Sequence, residues 1–197
     1  MLWTAVFLVV LIGSGINPKD QATWFLEVLP AMIGALILLA TYKGFRLTPL
    51  LYTLILIHCI VLMVGGHYTY AEVPLFDFIR DIFGLERNNY DKVAHFVQGF
   101  VPAIMAREIF IRKKVVDGTA WLNLFIVSVC LAFSAFYELI EWWVALAIGA
   151  DAEAFLGTQG YVWDTQSDMA LALLGAISAI VLLAKKHNKQ LRNLPGK

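Results

Sequence analysis

The chain has 197 residues, of which 60% are apolar and 15% charged, and its formal net charge is zero. An ordinary soluble domain carries roughly 45–50% apolar and about 25% charged residues, so composition excludes that class. The balanced charge excludes a strongly basic nucleic-acid binder, and the length sets one transmembrane domain over residues 1–197 as the expectation.

A bilayer core about 30 Å thick needs about 20 residues of helix, and that ruler places six spans along the chain. The first runs over residues 2–16; it lacks the positive n-region of a secretory signal and reads as a membrane helix rather than a cleaved peptide. The second and third cover 23–42 and 48–70. Between the third and fourth, PLFDFIRDIFG (74–84) opens on Pro and closes on Gly, with Leu75, Phe78, Ile79 and Ile82 on one face. That pattern predicts a short helix lying in the membrane interface. The fourth span, 91–111, is the least apolar, because it carries Asp91, Lys92, His95, Gln98, Arg107 and Glu108. The fifth and sixth cover 119–146 and 163–184. The loop between them, GADAEAFLGTQGYVWD, is glycine-rich and is expected to fold back over the bundle. The expected fold is therefore all-α, a polytopic membrane protein of six transmembrane helices in one bundle, embedded in the lipid bilayer. Cys59 and Cys130 sit mid-span and read as small core hydrophobes.

Orientation follows from the basic residues, since positive loops stay on the cytoplasmic side. Eleven of the fifteen fall on one side of the six spans: Lys43, Arg46, Arg107, Arg112, Lys113, Lys114 and the five of the C-terminal segment. Lys19, Arg80, Arg87 and Lys92 fall on the other. Both termini are expected in the cytoplasm of a bacterial inner membrane.

Ionisable residues enter the spans almost entirely from the outer side, where each is a functional candidate because charge within a bilayer is costly. Asp91, His95 and Gln98 stand at i, i+4 and i+7, one helical stripe. Ser134, Glu138 and Glu141 repeat that spacing on the fifth span, and Asp164 and Asp168 lie one turn apart on the sixth. His67 lies at similar depth. Three stripes at one level most economically face a common cavity. Crowded carboxylates there must bind protons or a cation, and a divalent zinc, manganese or magnesium ion is a direct solution. The metal-ligating candidates are His67, His95, Glu138, Glu141, Asp164 and Asp168; the catalytic acid–base candidates are His95, Asp91, Glu138 and Glu141.

Bland alternatives stand beside these. Asp91, Asp164 and Glu27 lie at helix ends and also suit caps. His58, at the middle of the third span, reads as an interhelical hydrogen-bond partner, and Lys92 as one arm of a structural salt bridge. His58 and His67 lie on opposite sides of a regular helix, so one site takes both only if Gly65 and Gly66 break it. Whether Glu27 and His58 join the cavity is left open. The tryptophans and tyrosines of the outer level read as an aromatic belt.

The motifs GGHYTYAEVPLF, RNNYDKVAHFVQGFVPAIMAREI, SAFYELIEWW and LGTQGYVWDTQSDM, spread over nearly the whole chain, resemble the YjdF family of predicted bacterial inner-membrane proteins. That resemblance implies a place in the inner membrane and assigns no activity. A looser outline, formed by Asp91, Lys92, His95, Glu138, Asp168 and Gly175, is similar to the VanZ-like membrane proteins, with departures at Glu141 and Ala172. It implies a cell-envelope role by analogy only.

Three functions are then expected to compete. The first is a metal-dependent membrane enzyme whose outward-facing Asp/His/Glu cavity acts on a lipid-linked or envelope precursor. The alternatives are a proton- or cation-coupled small-molecule transporter and a non-enzymatic membrane scaffold.

Overall fold

The computed structural model describes residues 2–148 and 158–194, and among them every regular element is a helix. The elements are α1 (Leu2–Ser14), α2 (Gln21–Thr41), α3 (Pro49–His67), α4 (Pro74–Phe83), α5 (Tyr90–Lys113), α6 (Thr119–Ile148) and α7 (Asp164–Arg192). Of these, α2, α3, α6 and α7 are each long and apolar enough to cross a membrane. The chain is thus a multi-pass, all-helical membrane protein. The other two expected spans depart from the simple pattern. Helix α1 has 13 residues, roughly 20 Å at 1.5 Å per residue. Helix α5 has the length, at 24 residues, but is interrupted by charge on several faces.

Local chemistry fixes most helix starts. Asp20 caps α2 by accepting from the Thr23 amide at 2.7 Å, a bond that holds its carboxyl below the usual carboxylate range. Thr48 caps α3 through the Leu51 amide, with Pro49 at the first helical position. The α3 helix runs on through Gly65 and Gly66 to His67 instead of breaking there. Gly65 makes room for the Tyr70 ring, which the left-handed residues Thr69 and Tyr70 turn back onto the helix end. The predicted interfacial helix is α4: none of its residues is buried, Leu75, Phe78, Ile82 and Phe83 are exposed, and Gly84 closes it in the left-handed conformation. The sixth predicted span extends eight residues further than its apolar run, to Arg192.

Helix α3 packs against α1, α2 and α5, while α6 packs against α5 and α7. The most extensive contact is between α5 and α7. It is built on glycine. A Cβ at Gly99 would overlap the Ala172 carbonyl, and one at Gly175 would overlap the Phe96 carbonyl, so two backbones touch where side chains would hold them apart. Around that crossing the layer is apolar, with Val101, Ala172, Ala176 and Ala179 fully or almost fully buried. Both cysteines are buried free thiols.

A polar layer lies at each end of the crossing. At one end are the starts of α5 and α7, with Asp91, His95, Asp164 and Asp168 buried. At the other, Glu108 on α5 accepts from the Thr48 amide at 3.0 Å, the Thr48 hydroxyl at 2.7 Å and the Arg112 guanidinium at 2.9 Å. It also accepts from His187 on α7 at 2.9 Å. This second layer ties the start of α3 to the ends of α5 and α7.

Candidate functional site

The first polar layer is assembled by stripes on three helices. On α5, Asp91, His95 and Gly99 follow one another at i, i+4 and i+8; on α7, Asp168, Ala172 and Gly175 stand at i, i+4 and i+7. The glycines at the foot of each stripe bring the two helices together, and the acids above them converge as a result. One ligand atom each from Asp91, His95 and Asp168 lie within 4.8 Å of one another, and all three residues are buried. Nε2 of His95 is 3.4 Å from Asp91 Oδ1 and 3.9 Å from Asp168 Oδ2.

The opposite ring edge faces α6. Nδ1 of His95 lies 3.0 Å from Gln98 Oε1 and 3.9 Å from Glu138 Oε1. An amide oxygen only accepts, so Nδ1 carries a proton and donates to Gln98; in the neutral ring this leaves the Nε2 lone pair pointing at Asp91 and Asp168. Glu138 projects from α6 with Ser134 one turn before it. Its Oε1, the Ser134 hydroxyl and Asp91 Oδ2 are buried and make no hydrogen bond among the described residues. Buried polar atoms normally find partners, so Glu138 Oε1 and the Ser134 hydroxyl are exceptions, while Asp91 Oδ2 has the Arg87 guanidinium 3.5 Å away.

The mouth of this layer is roofed by residues that precede α5 and α7. Arg87 pairs with Asp164, and its other terminal nitrogen is 3.5 Å from Asp91 Oδ2. Asn88 exchanges two hydrogen bonds with the Gln159 side chain, at 3.0 and 2.9 Å, and its own amide binds Val73 and Asp77 on the α4 side. Arg87 and Lys92 lie over the Tyr161 ring, at 5.7 and 4.9 Å. The expected fold-back of the loop before α7 is thus visible from Thr158 onward, while its part at 149–157 lies outside the described residues.

The sequence candidates distribute as follows. Asp91, His95 and Asp168 come together, with Glu138 against the far edge of the imidazole. Asp164 faces Arg87 instead of the imidazole. Glu141 is half-buried on the same helix as Glu138, close enough to interact with Glu138, Glu27 and His95 through their charges. Glu27 is buried on α2 and accepts from the Tyr137 hydroxyl at 3.1 Å. His67 donates through Nδ1 to the Ser14 carbonyl at 2.8 Å and is not one of the residues whose ligand atoms converge. His58 makes no hydrogen bond among the described residues, and Lys92 makes no ion pair there. The cation of this layer is Arg87, which sequence reading left as an outer-loop charge. Its position four residues before Asp91 was the available signal.

A family model described as "Predicted membrane protein (DUF2238)" matches residues 1–189. The chain belongs to that family. It is 54% identical over 183 residues to "Inner membrane protein YjdF" of Escherichia coli (strain K12), an alignment that covers 93% of this chain and 88% of the relative. The family resemblance read from the four motifs is therefore correct. No solved structure matches the chain. The comparisons do not show the likeness to VanZ-like proteins.

Proposed function

We propose that this DUF2238-family protein is a metal-dependent inner-membrane enzyme acting on a lipid-linked or envelope precursor, with its reacting groups at the outer ends of the helices. The inner-membrane location is taken from the YjdF relative's name. In this reading all six long or apolar helices cross the membrane as one domain, α1 and α5 included, and both termini lie on the cytoplasmic side with the eleven basic residues.

One observation carries the proposal: the ligand atoms of Asp91, His95 and Asp168 converge within 4.8 Å on a buried spot. Bonds of about 2.0–2.2 Å to a shared ion put ligand atoms no more than roughly 4.4 Å apart, so a small side-chain adjustment closes the set. Two carboxylates and one imidazole suit zinc, manganese or iron better than calcium. Gln98, holding the proton on Nδ1, fixes the ring for ligation through Nε2. A metal-bound water becomes a nucleophile near neutral pH. Glu138, whose buried Oε1 makes no hydrogen bond among the described residues but faces the Nδ1 edge of the ring, would receive that water's proton through one intervening water, with Glu141 behind it.

The apolar α5/α7 crossing counts against a carrier. Along α7, the buried Ala172, Ala176 and Ala179 separate the outer polar layer from the Glu108 layer with apolar contacts.

The test replaces the wild-type chain by Glu138→Gln in cells and compares their envelope lipids by mass spectrometry with those of cells lacking the protein. The expected outcome is the same lipid accumulating in both strains, while purified Glu138→Gln keeps its metal. Unchanged lipids in the deletion strain would remove the enzyme reading.

A further inference from the structure

At the end of the bundle away from the Asp91/His95/Asp168 layer, α1 and α2 diverge. Helix α1 is fastened along α3, through Trp3 Nε1 to the Tyr52 carbonyl at 2.8 Å and through the Ser14 carbonyl to His67 at 2.8 Å. It meets α2 only near the start of that helix, where Trp24 Nε1 donates to the Ser14 hydroxyl at 3.1 Å. Pro30 then removes one backbone hydrogen bond from α2. Beyond it the two helices enclose a groove of about 1270 Å³ with α3 as its floor.

The groove is apolar along its length and polar at one end. Phe7 and Leu11 line one wall, Met32 and Leu36 the other. At the end, where α2 finishes and α7 passes, stand Tyr42, Arg46 and Gln190. Arg46 is exposed, lies 5.4 Å from the Tyr42 ring centroid, and makes no ion pair among the described residues. Gln190 uses its carbonyl oxygen on the Leu50 amide, which leaves its NH2 group as a donor. Small-molecule pockets span about 300–1,000 Å³, so this volume suits a longer, flexible occupant. A trough that is hydrocarbon along its length and cationic at its mouth matches one common membrane component. Guanidinium groups read phosphate through paired hydrogen bonds, and basic pockets between membrane helices bind phospholipid headgroups in this way.

We infer that the α1/α2 groove is a binding site for an anionic phospholipid, with an acyl chain along Phe7, Leu11, Met32 and Leu36 and the phosphate on Arg46, assisted by Gln190. The site shares no residue with the Asp91/His95/Asp168 layer and stands whether or not that layer holds a metal.

The experiment is native mass spectrometry on full-length protein stripped of lipid by detergent exchange, then offered phosphatidylglycerol or phosphatidylcholine of identical acyl chains. Wild type is expected to retain phosphatidylglycerol about fivefold better, because the two lipids share the phosphate and differ in the choline cation that cancels its charge beside Arg46. Arg46→Gln, a change at an exposed side chain, removes the preference and leaves weak binding of both lipids. Ala35→Trp, which fills the trough, abolishes both adducts; a thermal melt of this variant checks that it remains folded. Equal retention of the two lipids by wild type, or an undiminished preference in Arg46→Gln, overturns the assignment. So does a dimer that takes up no lipid.

Discussion

Arg107 donates to Nδ1 of His187 at 2.9 Å, and because a guanidinium has no lone pair to offer, that contact fixes the histidine's tautomer. The ring proton must sit on Nε2, where it is donated to Glu108 at 2.9 Å. A fully buried neutral imidazole thus joins a carboxylate to a guanidinium, and Arg107 reaches on to the Asn188 side chain at 2.7 Å.

This layer is a structural lock, since every partner of Glu108 is a helix end. Glu108→Ala strands the Thr48 amide, the His187 N–H and one Arg112 contact together. Breaking a buried ionic network by removing one partner typically costs about 3–5 kcal/mol, and a loss of that order is expected in detergent unfolding. Lys114→Ala, at an exposed neighbouring site, serves as the control. A Glu108→Ala protein as stable as wild type would show that the three helix ends are held by apolar packing alone.

The α5/α7 crossing is the second point of mechanical sensitivity. Gly99→Ala and Gly175→Ala each place a methyl group onto a facing backbone carbonyl. Backbone cannot move aside as a side-chain tip can, so each change is expected to cost at least the roughly 1–3 kcal/mol of an overpacked core. The same shift should separate His95 from Asp168 and weaken any metal bound there. Gly34→Ala, with open space around the added atom, should be neutral. If all three melt together, the backbones do not touch.

What the sequence revealed, and what it hid, divides along physical lines. Period and length made the helices legible, down to α4 and its closing Gly84. The stripe of Asp91 and His95 was legible too, because a single helix fixes it. Its convergence with Asp168 was expected from their shared depth, but not the close approach at Gly99 that achieves it, because a lone glycine in an apolar run does not announce which neighbour it admits. Arg87 was hidden for a related reason: a loop arginine counts as a topology signal until the fold turns it inward. His187 lay beyond the end of the apolar run, so a ruler based on hydropathy stopped before reaching it. His67 shows the opposite error, since similar depth along the membrane does not supply convergence in the plane.

Orientation can be measured directly. A reporter that is active only in the periplasm should be silent when fused after Lys197 and active when inserted at Glu153. The reverse pattern would place the acidic layer on the cytoplasmic side and exclude an envelope substrate delivered from outside.

The central claim, a metal centre on Asp91, His95 and Asp168, is tested most directly by elemental analysis of protein purified without chelator. One equivalent of a divalent transition metal is predicted for wild type and for Glu138→Gln, and much less than one for Asp91→Asn and Asp168→Asn, each still inserted in the membrane. Combining the last two should lower occupancy little further, because ligands of one ion act as a unit. No metal in folded wild-type protein, before and after incubation with zinc or manganese, would contradict the claim and leave the converging side chains as a polar helix-packing cluster.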